Sequence, residues 1–227
     1  VEDEEAIQEL IRYNLNKDGY DRVRCCESGE EALAAAQRPQ ADYDVSRWLY
    51  VPPTYEEYRY ILGTRGVHPL ICVGINPSTA EPDRLDPTLQ SAQRIARFNG
   101  YDSFLMFNVY AQRATRPDDM EKAPNAWLHG ENMKAFAYLL TLCRGTPAVW
   151  AAWGSIIEKR AYLSACVADM LEIAGRQGAV WYHAGALSKA GHPHHPLYLR
   201  ADTRLEPFDT GAYLARLAER TPAGRRG

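Results

Sequence analysis

The sequence predicts an α/β protein built on a parallel sheet, on the strength of three observations. Four short apolar runs, HPLICVGI, FLMFNVY, AVWAAWG and AVWYHA, lie between residues 68 and 184. Segments with helical spacing separate them. The runs are apolar throughout rather than alternating, which is the pattern of strands buried on both faces. The chain has 227 residues, 46% of them hydrophobic, which suits one main domain with a sizeable core.

The elements follow in order. Residues 1–40 open on an acidic cluster, and Ile7, Leu10, Ile11 and Leu15 recur at helical spacing until Lys17-Asp18-Gly19. Ser28 and Glu31 then form a capping box for a second helix. The α/β domain is expected over residues 41–215, and a flexible tail over 216–227. Its first part, residues 43–66, is aromatic and irregular, and reads as a strand pair or a covering loop; TYEEYRYIL has the composition of a short helix. After the first strand, Asp86 and Pro87 are a cap and first-turn pair for the helix PTLQSAQRIARF, which Asn99-Gly100 stops. Two further helices, NAWLHGENMKAFAYLLTLC and KRAYLSACVADMLEIAG, flank the third strand.

In a parallel sheet, ligands bind outside the carboxyl ends of the strands. The residues leaving those ends are polar. They are Asn76, Pro77, Ser78 and Thr79 after Gly74, then Asn108 with Gln112, Arg113 and Thr115, then Trp153, Gly154 and Ser155, and finally the segment 183–195. Asp86 reads as a helix cap or a base, Trp153 as core or a stacking ring, and Arg113 as a phosphate ligand. His192, His194 and His195 follow Gly191 and can donate to a developing anion. Their spacing is not that of zinc ligands, no CxxC occurs among five cysteines, and no metal or other cofactor is expected. A net charge of −3 gives no global basic field, so contact with nucleic acid would be local and modestly salt-sensitive. No apolar stretch is long enough to span a bilayer, no signal peptide is visible, and a cytoplasmic protein is expected.

Three resemblances are carried by these residues. Glu2, Asp3 and the run ESGEEAL resemble the start of a response-regulator receiver domain. The likeness ends where PQADYDVSRWLYVPP replaces the phosphoacceptor strand, so phosphorelay signalling is not expected. Residues from about 45 to 210 resemble the domain-of-unknown-function 1643 family, through GINPSTA, DPTLQSAQRIARFNGYDSFLMFNVYAQRATRP, VWAAWG and GHPHHPLYL. More distantly, GINP, VWAAWGS and the late His-Pro segment are similar to motifs of uracil-DNA glycosylases of the mismatch-specific type. That likeness implies three layers, α/β/α, around a central four-stranded parallel sheet. It implies that Asn76 places the hydrolytic water, that Asn108 reads the base edge, and that His192 or His195 stabilises the departing base. Gly74, Pro77, Ser78, Thr79, Arg113, Trp153 and Gly154 would complete the binding site. This chain departs from the glycosylase pattern at Ser78-Thr79-Ala80, where a stacking ring is missing, and has no aspartate at the usual general-base position. The expected function is hydrolysis of an N-glycosidic bond in a nucleobase-bearing substrate, a nucleotide or DNA. The alternative is a module that binds a nucleotide or modified base without turnover.

Overall fold

Residues 42–220 are described by the structure, a computed structural model of the chain. The helices expected in residues 1–40 lie outside the described residues. The order of elements begins with β1 (Trp48–Val51), β2 (Ile61–Thr64), β3 (Pro69–Gly74), α1 (Pro87–Phe98) and β4 (Ser103–Asn108). It continues with α2 (Ala126–Thr141), β5 (Ala148–Ala151), α3 (Ala161–Arg176), β6 (Val180–Ala184), β7 (Leu205–Pro207) and α4 (Thr210–Arg220).

Among the described residues the sheet has seven strands, in the order β1-β2-β4-β3-β5-β6-β7, which corrects the expected four. The four strands read from the apolar runs form its parallel centre, β4-β3-β5-β6. Antiparallel strands extend it on both sides: β2 pairs β4, β1 pairs β2, and β7 pairs β6. The aromatic segment is thus a strand pair, and TYEEYRYIL is not a helix, because β2 begins within it at Ile61. Pairing of β2 with Leu105 and Met106 overrides the local helical pattern. Residues 216–220, expected in a flexible tail, belong to α4, which continues to Arg220 and buries Leu217; the rest of that segment lies outside the described residues.

Side-chain alternation along the central strands divides the core in two. Ile71, Val73, Leu105, Phe107 and Val149 face one cluster with residues of α2, α3 and α4. Leu70, Cys72, Phe104, Met106 and Trp150 face another with Leu89, Ala92 and Ile95 of α1. A strand covered on both faces has no solvent side to mark with polar residues, which is why these runs are apolar throughout. The thiols of Cys72 and Cys166 sit in these clusters, and burial pushes them up, Cys166 to about 12, so both stay protonated at neutral pH. No helix among the described residues is long and apolar enough to cross a membrane.

Candidate functional site

The parallel register places the ends of β3 and β4 side by side, with Gly74 opposite Asn108. The chain leaves both strands at the same edge, and a cavity of about 240 Å³ opens there. Gly74, Asn76, Ser78, Asp86, Asn108 and His195 all line it. Gly74 is required by close approach: a Cβ there would sit 2.7 Å from the Met106 methyl and 3.0 Å from the Asn108 amide.

The two asparagines are fixed by backbone carbonyls. Asn76 donates through Nδ2 to Ala114 O at 2.6 Å and to Pro77 O at 3.2 Å. Asn108, with its amide nitrogen turned towards the strand ends, donates to Asn76 O at 3.2 Å and Phe107 O at 3.3 Å. Asn132 of α2, buried, donates to the Asn108 and Val109 carbonyls and holds the β4 exit in place. Both amide NH₂ groups are therefore committed, and each asparagine offers a ligand only its carbonyl oxygen, an acceptor.

Asp86 has two duties. Its Oδ1 accepts from Leu89 N at 2.9 Å and caps α1, as expected, and its Oδ2 accepts from Ser78 Oγ at 2.5 Å. It is the one carboxylate among the residues lining this cavity. Asp86→Ala should cost about 1 kcal/mol through loss of the cap. Asp86→Asn, which keeps a capping oxygen, should cost much less; urea denaturation of the two variants checks this.

The His-Pro segment divides into two roles that sequence could not separate. His195 lines the Asn76 cavity. Its Nδ1 accepts weakly from Leu197 N at 3.4 Å, so in the neutral ring the proton sits on Nε2. Burial pulls its pKa below the usual histidine value, partly opposed by Asp86. His192 is instead buried in a hydrogen-bonded chain. Trp153 Nε1 donates to Tyr213 Oη at 2.8 Å, and Tyr213 Oη lies 3.0 Å from His192 Nδ1. The Glu158 carboxylate, 3.1 Å from His192 Nε2, takes the Nε2–H of the neutral ring, which leaves Nδ1 to accept from the Tyr213 hydroxyl. Both His192 nitrogens are used within the protein, and Trp153 is a core residue packed on Trp181, Phe208 and Tyr213. Gly154 adopts φ +64°, a left-handed conformation that favours glycine at the β5 exit.

A second cavity, of about 370 Å³, is lined by Gly154, His192 and His194, and shares Ile156 and His195 with the first. A third, of about 590 Å³, is lined by Arg113, Tyr55, Tyr58 and Trp127, with Trp127 60% exposed. Arg113 binds the Ser78 carbonyl through Nη1 and Tyr50 Oη through Nη2 at 2.7 Å, and its guanidinium lies 4.1 Å from the Tyr55 ring centroid. Pro77 is buried and Thr79 exposed, and neither is among the residues lining the first cavity.

Arg59 is the residue sequence reasoning missed. It precedes β2, donates its backbone N–H to Ala111 O at 2.9 Å, and lines the Asn76 cavity while only 1% exposed. Its Nη1 donates to Ala80 O at 2.8 Å, and Nε has no partner. Burial, with Arg113 nearby, lowers its pKa to about 10, still charged at neutral pH. Among the described residues no three His, Cys, Asp or Glu side chains are grouped as metal ligands.

No curated protein and no solved structure matches the chain, so the glycosylase and receiver resemblances rest on their motifs alone. Residues 59–197, a span that holds every residue lining the Asn76 cavity, match the family model described as Protein of unknown function (DUF1643), and the chain belongs to that family.

Proposed function

We propose that the protein hydrolyses the N-glycosidic bond of a nucleobase-bearing substrate, with the base in the Asn76 cavity. The observation that carries this reading is Asp86 and His195 lining one cavity of about 240 Å³ with two acceptor-only asparagines. That volume lies below the roughly 300 Å³ at which drug-sized pockets begin, and the adjoining cavity of about 370 Å³, which shares Ile156 and His195 with it, leaves room for the rest of a small nucleobase-bearing ligand. In the proposed reaction, Asn76 Oδ1 accepts from a water and orients it, and Asp86 takes the proton as the water oxygen bonds to the anomeric carbon. The carbon–nitrogen bond breaks, its electron pair stays on the base, and the Nε2–H of neutral His195 donates to that developing anion. Asn108 offers an acceptor, which would meet a donor on the base edge, an exocyclic amine or a ring N–H.

The test is base release by the full chain from nucleosides, nucleotides and oligonucleotides carrying amino-bearing bases or uracil, with Asp86→Asn alongside. Release by wild type that Asp86→Asn loses supports the reading, and no release from any substrate overturns it. One observation favours the alternative, a binding module without turnover: both Asp86 oxygens already accept hydrogen bonds, which weakens it as a base. Base binding without release would establish that alternative.

A further inference from the structure

We propose that the ligand of the Asn76 cavity carries a terminal phosphate, and that Arg59 is its binding residue. This rests on the nucleobase reading and narrows it to a free nucleotide. Arg59 is a buried guanidinium lining the cavity, with an unpartnered Nε and no ion pair to a carboxylate among the described residues. Buried charges in proteins are ordinarily paired. Here the nearest company makes matters worse: Arg113 also approaches the Ala80 carbonyl, at 3.5 Å, so two guanidiniums share one acceptor. The Nε of Arg113 is buried and unpartnered as well.

Asp86 offsets part of this charge, but both its oxygens are occupied, by Leu89 N and Ser78 Oγ. With His195 neutral, Arg59 and Asp86 are the charged groups lining the cavity, and Arg113, lining the neighbouring one, adds a second positive charge beside the shared Ala80 carbonyl. The cavity also abuts the first turn of α1 through Thr88 and Leu89, where the helix dipole adds positive potential. An anion in the cavity offsets this charge, and a planar guanidinium matches phosphate geometry.

A terminal monoester fits better than a polymer backbone. A phosphodiester continues into nucleotides on both sides, and a guanidinium 1% exposed behind a small cavity leaves no path for them. The chain's net charge of −3 likewise gives no field to gather a polyanion.

The experiment is isothermal titration of the full chain with a set of nucleosides, their 5′-monophosphates and a single-stranded oligonucleotide, for wild type, Arg59→Met and Arg59→Lys. Each monophosphate is expected to bind at least about tenfold more tightly than its nucleoside, the difference one charge-assisted contact supplies. Arg59→Met should abolish that preference, and Arg59→Lys should keep part of it. Equal binding of nucleoside and monophosphate by wild type overturns the proposal, as does tighter binding of the oligonucleotide. Should Arg59→Met not fold, wild type decides alone: inorganic phosphate must raise its unfolding temperature more than chloride at equal ionic strength, and an equal effect overturns the proposal. Phosphate-dependent binding without base release would refute the hydrolytic reading and leave this one standing.

Discussion

In the proposed hydrolysis, His195→Gln is expected to slow base release by about 10²–10³-fold, the loss measured when one donor to a developing anion is removed. The argument is geometric first: His195 lines the cavity with Asp86 and both asparagines, and its Nδ1 is turned to Leu197 N, leaving Nε2–H as donor. Substrate binding should change less than turnover, because the donor is needed most when the base departs with its electron pair. The substitution also has a stability signature. The unfolded chain binds a proton at His195 near the usual 6.5, and the folded chain only at lower pH, because burial disfavours the charged ring. Between those values the unfolded state holds more protons, so stability rises with pH. The contribution is complete above the unfolded value and is lost as pH falls through the folded one. Urea midpoints of wild type should therefore drop between about pH 7.5 and pH 5, and His195→Gln should drop less. An equal drop in both would remove His195 as the cause.

Trp153→Ala is expected to destabilise the protein by about 3–5 kcal/mol, the range for deleting a buried large aromatic. That is a large share of the roughly 5–15 kcal/mol that holds a typical domain together. Two losses combine. The cavity left behind unpacks Trp181, Phe208 and Tyr213. The Tyr213 oxygen also loses its donor, disturbing the chain through His192 to Glu158. Trp153→Phe keeps most of the packing and loses the indole N–H, so about 1–2 kcal/mol is expected there. Chemical denaturation of both variants checks the division. Near-equal costs would show that the hydrogen-bonded chain, and not the ring, is what Trp153 supplies.

The legible parts of this fold share a physical cause. The strands from Pro69 to Ala184 were readable because burial on both faces leaves only apolar side chains, and α1 was readable because Asp86-Pro87 is a local signal. β7 has three residues, Leu205–Pro207, too few to show any period, and it exists because Tyr182, His183 and Ala184 offer it an edge. The site was half legible for a related reason. A strand's exit follows from its end, so Asn76 and Asn108 could be located from the sequence. Nothing local distinguishes Arg59 from a surface arginine among tyrosines; its burial is decided by the pairing of β2 with β4 and by the loop at Ala80. The same holds for His192 and His195, three residues apart in one segment. Tyr213, which α4 brings in from the far end of the chain, and Glu158 hold one of them inward.

The distribution of the indole rings makes the molecule its own optical reporter. Trp48, Trp150, Trp153 and Trp181 are buried, and Trp127 stands exposed against Tyr58 at the rim of the cavity that Arg113 lines. An aqueous quencher such as iodide therefore reaches the emission of Trp127 and leaves the blue-shifted light of the other four. A ligand settling against Arg113 would shield that single fluorophore, while one confined to the Asn76 cavity would leave the quenchable fraction unchanged. Unlabelled protein can thus tell in which of the two chambers a ligand sits.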